Sequence, residues 1–178
     1  SDCIQKGKDY NAGGARYNTN YIQGVGIGTI TDSLSSIKYH IYDKKNISID
    51  TLLDVLKNNY RGENEIHYLL KNKTPKYGND DDYADTIMQE VFDSFYQEVN
   101  SRKTTKGGDY RIDMLPTTCH IYFGSVIGAT PDGRKAGKPL SEGISPVQGA
   151  DRKGPTAVIK SAAKMDHIRT GGTLLNQK

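Results

Sequence analysis

Residues 81–124 read DDYADTIMQEVFDSFYQEVNSRKTTKGGDYRIDMLPTTCHIYFG, and the change of texture near Thr104 decides the fold class. In the first half Tyr83, Ile87, Met88, Val91, Phe92, Phe95, Tyr96 and Val99 recur at three- and four-residue spacing. That period places one apolar stripe on a helix and predicts a helix over residues 81–101. Asp80, Asp81, Asp82 and Asp85 gather at its start, where the helix dipole favours negative charge, and read as a solvated N-terminus. They lack the ligand spacing of a calcium loop. After TTKGGD, the run YRIDMLPTTCHIYFGSVIGA (110–129) is rich in β-branched and aromatic residues. It reads as strand broken at Pro116, with a strand expected over 117–123. A strong helix followed by a strand makes the chain α/β.

Upstream, NAGGARYNTNYIQGVGIGTITDSLSSIKYHI (11–41) passes from a glycine-rich loop into a helix expected over 32–42, with Asp32 as its N-cap. ISIDTLLDVLKNNYRG (47–62) predicts a helix over 50–60, capped by Ser48 or Asp50 and stopped near Gly62. NEIHYLLKN (64–72) is a short third. Downstream, TPDGRKAG (130–137) is a turn built on Pro131, Asp132 and Gly133. Pro155 suits a first helical turn, so a helix is expected over 155–165 with Gly154 just outside it. TGGTLLNQK (170–178) begins a strand expected over 172–176.

With 178 residues the chain is long enough for one domain with a core. A hydrophobic content of 35%, a charged content of 25% and a net charge of +3 without a basic block suit a globular protein with no call for nucleic acid or an anionic membrane. No apolar run approaches a bilayer span, and SDCIQKGKDY (1–10) is neither a signal nor a transit sequence, so a cytoplasmic location is expected. Cys3 and Cys119 are far apart, which fits a reducing compartment. The four histidines, His40, His67, His120 and His167, form no metal-binding pair, and no metal is expected.

GVGIG (24–28) resembles a dinucleotide fingerprint only in part: its third glycine comes one residue early and the strand before it is weak. Close backbone packing accounts better for Gly24, Gly26 and Gly28. SEGISPVQGADRKGPTAVIKS (141–161) lacks the spacing of a phosphate-binding loop, and its Lys160 and Ser161 lie deep in the expected helix.

Six stretches occur in one order: GVGIGTITDSLSSIKY, TPKYGNDDDYAD, MLPTTCHIYFG, GATPDGRKAGKPLSEGISPVQGAD, GPTAVIKSAAKMDH and TGGTLLNQ. Together they resemble the C-terminal half of the glycyl radical enzymes, the pyruvate formate-lyase-like family. Within it they are most similar to the dehydratases of trans-4-hydroxy-L-proline and of glycerol or propanediol. The resemblance implies a ten-stranded α/β barrel and anaerobic radical chemistry. A cysteine radical takes hydrogen next to a hydroxyl-bearing carbon and water then leaves, which also requires a base and an acid. The family's cysteine stands in a GCVE-like finger loop and its radical glycine in an RVxGY-like loop; neither string occurs here. The chain is therefore expected to be a single barrel fragment, residues 1–178, without either loop, and inactive alone. Elimination of water from a hydroxylated substrate, trans-4-hydroxy-L-proline in first place, is the implied activity of the whole. Other glycyl radical activities (glycerol or propanediol dehydratase, C–N lyase, decarboxylase, formate acetyltransferase) and a purely structural role are the alternatives. Implied partners are the rest of the enzyme, a small-molecule substrate, a second copy in a homodimer, and an S-adenosylmethionine iron–sulfur activating enzyme that installs the glycyl radical. Expected substrate-facing residues are Thr117, Cys119, Ser145, Pro146 and Val147, with SEGISPVQGAD as a strand end and loop beside the cavity.

Overall fold

The structure is a computed structural model that describes residues 2–100 and 102–177. Three short strands form one sheet in the order β1 (Asn20–Gln23), β2 (Tyr110–Met114), β3 (Thr170–Thr173), and both neighbouring pairs are parallel. Ile112 is the buried centre of β2, in register with Ile22 on one side and Thr170 on the other. Parallel neighbours need long crossovers. The first carries α2 (Ile27–Ile37), α3 (Ile49–Lys57), α4 (Asn64–Asn72) and α5 (Asp82–Asn100); the second carries α6 (Cys119–Val126) and α7 (Pro155–Ala162). A five-residue helix, α1 (Asp2–Lys6), precedes them all.

The apolar stripe of α5 settles where the core lies. Met88 and Phe92 pack with Ile27, Ile112, Met114 and Ile144, joining helix, sheet and the 140–151 loop in one cluster. Each such side chain contributes about 2 kcal/mol by leaving water. A second cluster, Ile47, Leu52, Val55, Tyr60 and Leu70, holds α3 against α4. Ser48 caps α3, its hydroxyl accepting the Thr51 amide at 3.0 Å. α4 and α5 lie where the periodicity puts them, though Ser101, the last residue of the expected helix, is outside the described residues. Pro155 opens α7 and Gly154 stands just outside it.

Several expectations are corrected. Residues 117–123 are not strand: the strand ends at Met114, and α6 begins at Cys119. Pro116 stops the sheet, Thr117 takes a φ of 48°, and the His120 ring bonds the Thr117 carbonyl at 3.1 Å, turning the chain into a helix. A short apolar run fits either element, and tertiary packing chose. Gly124 lets α6 lie against the 138–140 backbone; a Cβ there would meet the Lys138 carbonyl oxygen at 2.4 Å.

Asp32 is not an N-cap. α2 starts five residues earlier, at Ile27, behind Gly26 with φ 82°, and Asp32 lies buried in its middle. The cap comes from far along the chain: Ser141 Oγ accepts the Thr29 amide at 3.0 Å. Past Ile37 the helix loosens into one π-helical stretch, Lys38–Asp43. The last strand lies at Thr170–Thr173, slightly before the expected 172–176. A strand, β1, precedes the GVGIG glycines, and residues 141–151 contain none. The acidic start of α5 is only partly solvated: Asp85 is fully buried and holds Lys164 at 2.7 Å.

Candidate functional site

Parallel strands gather their loops at their carboxyl ends, where α/β folds bind ligands. Here those ends are Gln23, Met114 and Thr173. The turns that follow are tied together, Gln23 Nε2 donating to the Leu115 carbonyl at 3.1 Å. The 140–151 loop joins the same edge. Ile144 N donates to the Leu174 carbonyl at 2.9 Å, and Asn176 N to Ser145 Oγ at 2.9 Å.

Other parts of the chain hold the loop as firmly. Thr29 and Ser141 bond reciprocally: as well as the cap to Thr29 N, Ser141 N donates to Thr29 Oγ1 at 2.8 Å. Tyr77 Oη donates to the Ile144 carbonyl at 2.8 Å, and Asn79 Nδ2 to the Ala150 carbonyl at 2.9 Å. Gly28 is the close-approach point: a Cβ there would sit 2.8 Å from the Ser145 carbonyl oxygen. Backbone packing is thus the role the structure gives this glycine. Gly78, at φ 90°, makes the same room for the Pro146 ring.

The expected site residues separate into two groups. Ser145 and Pro146 are buried, and with Gln148 they line a small hollow of about 110 Å³ beside Asn176. Val147 and Gln148 border a larger cavity of about 440 Å³ that runs back to Asp32 and Lys76. Gln148 is anchored, its Nε2 donating to the Leu140 carbonyl at 3.2 Å. Thr117 and Cys119 line neither space; Thr117 is exposed, and Cys119 is half-buried as the first residue of α6. Lys160 pairs with Asp80 at 3.1 Å and Ser161 Oγ donates to Asp85 at 2.9 Å, so they fasten α7 to α5 and to the turn just before it.

Sequence reasoning missed Thr29, Asp32, Lys76, Tyr77 and Ser141. The one available signal was in α2, where Thr29, Thr31, Asp32, Ser33, Ser35 and Ser36 are all buried. A helix with so many small polar residues on its inner side packs against polar groups. Asp32 Oδ1 accepts the Tyr77 amide at 2.8 Å. Burial pushes the Asp32 carboxyl up to about 7, against the pull of Lys76 and of that amide bond. Burial likewise pushes Lys76 down, with Asp32 and Asp132 opposing. Among the described residues no group of His, Cys, Asp and Glu could hold a metal ion, and no helix is long and apolar enough to cross a membrane.

Known proteins match this arrangement from end to end. The pyruvate formate lyase-like family model matches residues 1–124, and the glycine radical model matches residues 140–178. The chain is 68% identical to trans-4-hydroxy-L-proline dehydratase of Clostridioides difficile over 99% of its own length and 22% of the relative's. It is 36% identical to (2S)-3-sulfopropanediol dehydratase of Klebsiella oxytoca, covering 98% of this chain and 22% of that one. The crystal structure of the clostridial hydroxyproline dehydratase with its substrate bound superposes with a TM-score of 0.97, over 99% of this chain and 22% of that one. The glycerol-bound glycerol dehydratase of Clostridium butyricum superposes with a TM-score of 0.95 at 43% identity, with the same coverage of 99% and 22%. The chain thus spans about 22% of the length of these relatives. A mixed α/β piece with a small parallel sheet, matched along its length by the family's sequences and structures, this chain belongs to the pyruvate formate lyase-like glycyl radical enzymes.

Proposed function

We propose that this chain is one segment of a glycyl radical dehydratase, and that β1, β2 and β3 are three neighbouring strands of its ten-stranded barrel. The favoured reaction is loss of water from trans-4-hydroxy-L-proline. One observation carries this reading: the 68% identity to a dehydratase of that substrate extends over 99% of the chain, including the loop at the strands' carboxyl ends. The radical chemistry is supplied by a glycyl radical and a cysteine in loops whose motifs this sequence lacks. Cys3 stands in α1 and Cys119 at the start of α6, both outside a GCVE context, so no radical step is assigned to them.

What this chain supplies is wall and rigidity. Ser145, Pro146 and Val147 form a surface held by bonds from α2, from Tyr77 and from the segment after β3, so it keeps its shape as substrate enters. A fixed, dry wall holds a small substrate in one orientation and keeps water from reactive intermediates. Thr117 and Cys119 contribute from the turn after β2 once the rest of the barrel is in place. The same reading implies a homodimer, and a separate S-adenosylmethionine iron–sulfur enzyme that installs the radical. The test is the complete polypeptide carrying this segment, activated anaerobically and supplied with trans-4-hydroxy-L-proline, glycerol and propanediol. Conversion of the first to a pyrroline carboxylate with loss of one water is expected. Turnover of a diol alone would reject the assigned substrate.

A further inference from the structure

The cavity behind Val147 ends on two charged side chains that the proposed reaction does not use. Asp32 is 1% exposed and Lys76 8%. Asp32 Oδ1 is spent on the Tyr77 amide, but Oδ2 is buried with no hydrogen-bond partner among the described residues. Lys76 Nζ donates to the Asp132 carbonyl at 3.0 Å. An ammonium has three N–H groups, so it has donors to spare. Both residues line the 440 Å³ cavity, which is within the size range of small-molecule sites.

The uncommitted charges at its rim are all positive. The ammonium groups of Lys71, Lys135 and Lys138 border the cavity without a hydrogen bond or ion pair among the described residues. Arg152 stands beside them, braced on Asn72 Oδ1 at 2.7 Å. The other charged groups are already committed. Arg134 donates to the carbonyls of Ile127, Gly128 and Lys138, and the Asp132 carboxylate accepts from Thr130 and from the Arg134 amide. His67 bonds the Gly133 carbonyl at 2.8 Å. The cavity therefore presents free cations at its rim and, on its floor, one spare ammonium beside one orphaned acceptor.

A plain anion would answer the lysines and leave Asp32 Oδ2 unpaired, at the usual cost of a buried polar group without a partner. An oxyanion that still carries a proton answers both. We infer that this cavity binds a phosphate-sized oxyanion bearing a hydroxyl, either hydrogenphosphate or the singly protonated form of a phosphate monoester. Its charged oxygens accept from Lys76 and the rim lysines, and its P–OH donates to Asp32 Oδ2. The site is separate from the proposed reaction and needs neither radical nor dehydratase substrate.

The experiment is calorimetric titration of the complete, unactivated enzyme with inorganic phosphate, a simple phosphate monoester and sulfate, at constant ionic strength and pH 8, where the Asp32 carboxyl is ionised. Expected are saturable binding of phosphate or the ester, one per chain, and binding of sulfate at least tenfold weaker, since sulfate has no proton to give. Whether free phosphate or the ester binds more tightly identifies the source of the ligand. Lys135→Ala with Lys138→Ala, two exposed positions that leave the floor intact, should weaken binding severalfold. Asp32→Asn keeps an oxygen for the Tyr77 amide and turns an N–H to the ligand, so the preference for phosphate over sulfate should vanish. Absence of saturable binding overturns the inference. So does equal affinity for sulfate and phosphate in the unmutated protein, or no effect of the lysine pair.

Discussion

The 140–151 loop has its backbone and hydroxyl groups answered by α2, by residues 77–79 and by the segment after β3, whereas α6 leaves Ile121, Tyr122, Phe123 and Val126 turned to solvent. Both carry residues expected at the site, yet only the loop is complete within this chain. It turns sharply, and three parts of this chain hold it. The apolar face of α6 has no neighbour among the described residues to bury it. Exposed apolar surface of this kind marks contact with other protein. The difference teaches which part of the proposed site this segment builds alone and which part waits on other protein.

The largest effect should come from breaking the finished half. In Gly28→Val the new side chain would meet backbone, the Ser145 carbonyl oxygen, at 2.8 Å from its Cβ, and backbone cannot rotate away. A loss of about 3 kcal/mol is expected. It should appear in the complete enzyme as a lower denaturation midpoint and as new tryptic cleavage within the 140–153 stretch. Unchanged protease resistance would show that the loop does not dock on α2.

The unfinished half is sharpened by Ile121→Asp, a position 53% exposed here. In the complete enzyme, where a neighbour would cover it, the change should cost about 2 kcal/mol, the loss of apolar burial plus desolvation of a carboxylate. In the 178-residue chain alone it should raise solubility, because this face then promotes aggregation. Equal and negligible effects in both would mean that α6 stays exposed.

A smaller, pH-dependent effect should separate Asp32 from its neighbours. Its carboxyl is ordinary near 3.8 when unfolded and is raised to about 7 when buried. Between those values the folded state holds the extra proton, so stability falls as pH rises through the window and levels off above it. Asp32→Asn removes that slope while keeping an acceptor for the Tyr77 amide. The check is hydrogen exchange at Tyr77 between pH 5 and 8: extrapolated to a common intrinsic rate, protection should decline with pH in the parent and stay flat in the variant.

Much of the fold was legible because it is local. The stripe from Ile87 to Val99 fixed α5, Ser48 or Asp50 marked the start of α3, which Ser48 caps, and Pro155 marked that of α7. The failures were non-local. α2 is capped by Ser141, 112 residues from Thr29, so no side chain next to Ile27 marks where the helix starts. TTCHIYFG satisfied strand chemistry, but the turn at Pro116 and Thr117 and the close packing of Gly124 on 138–140 go with a helix. At the site, the turn residues of SEGISPVQGAD announced a sharply folded loop. The side chains that hold it, Thr29 and Tyr77, carried no local mark of that duty.

The central claim, that the 140–151 loop walls the substrate cavity of a glycyl radical dehydratase, is tested most directly at Val147, a half-buried residue of that loop. An apolar wall there suits a substrate ring, and a carboxylate would repel a substrate carboxylate while leaving a neutral diol untouched. The measurement is kcat/KM for trans-4-hydroxy-L-proline relative to glycerol, in the parent and in Val147→Glu, taken anaerobically at matched radical content. The account predicts that the ratio falls at least tenfold in the variant; an unchanged ratio in a folded, radical-bearing enzyme would contradict it.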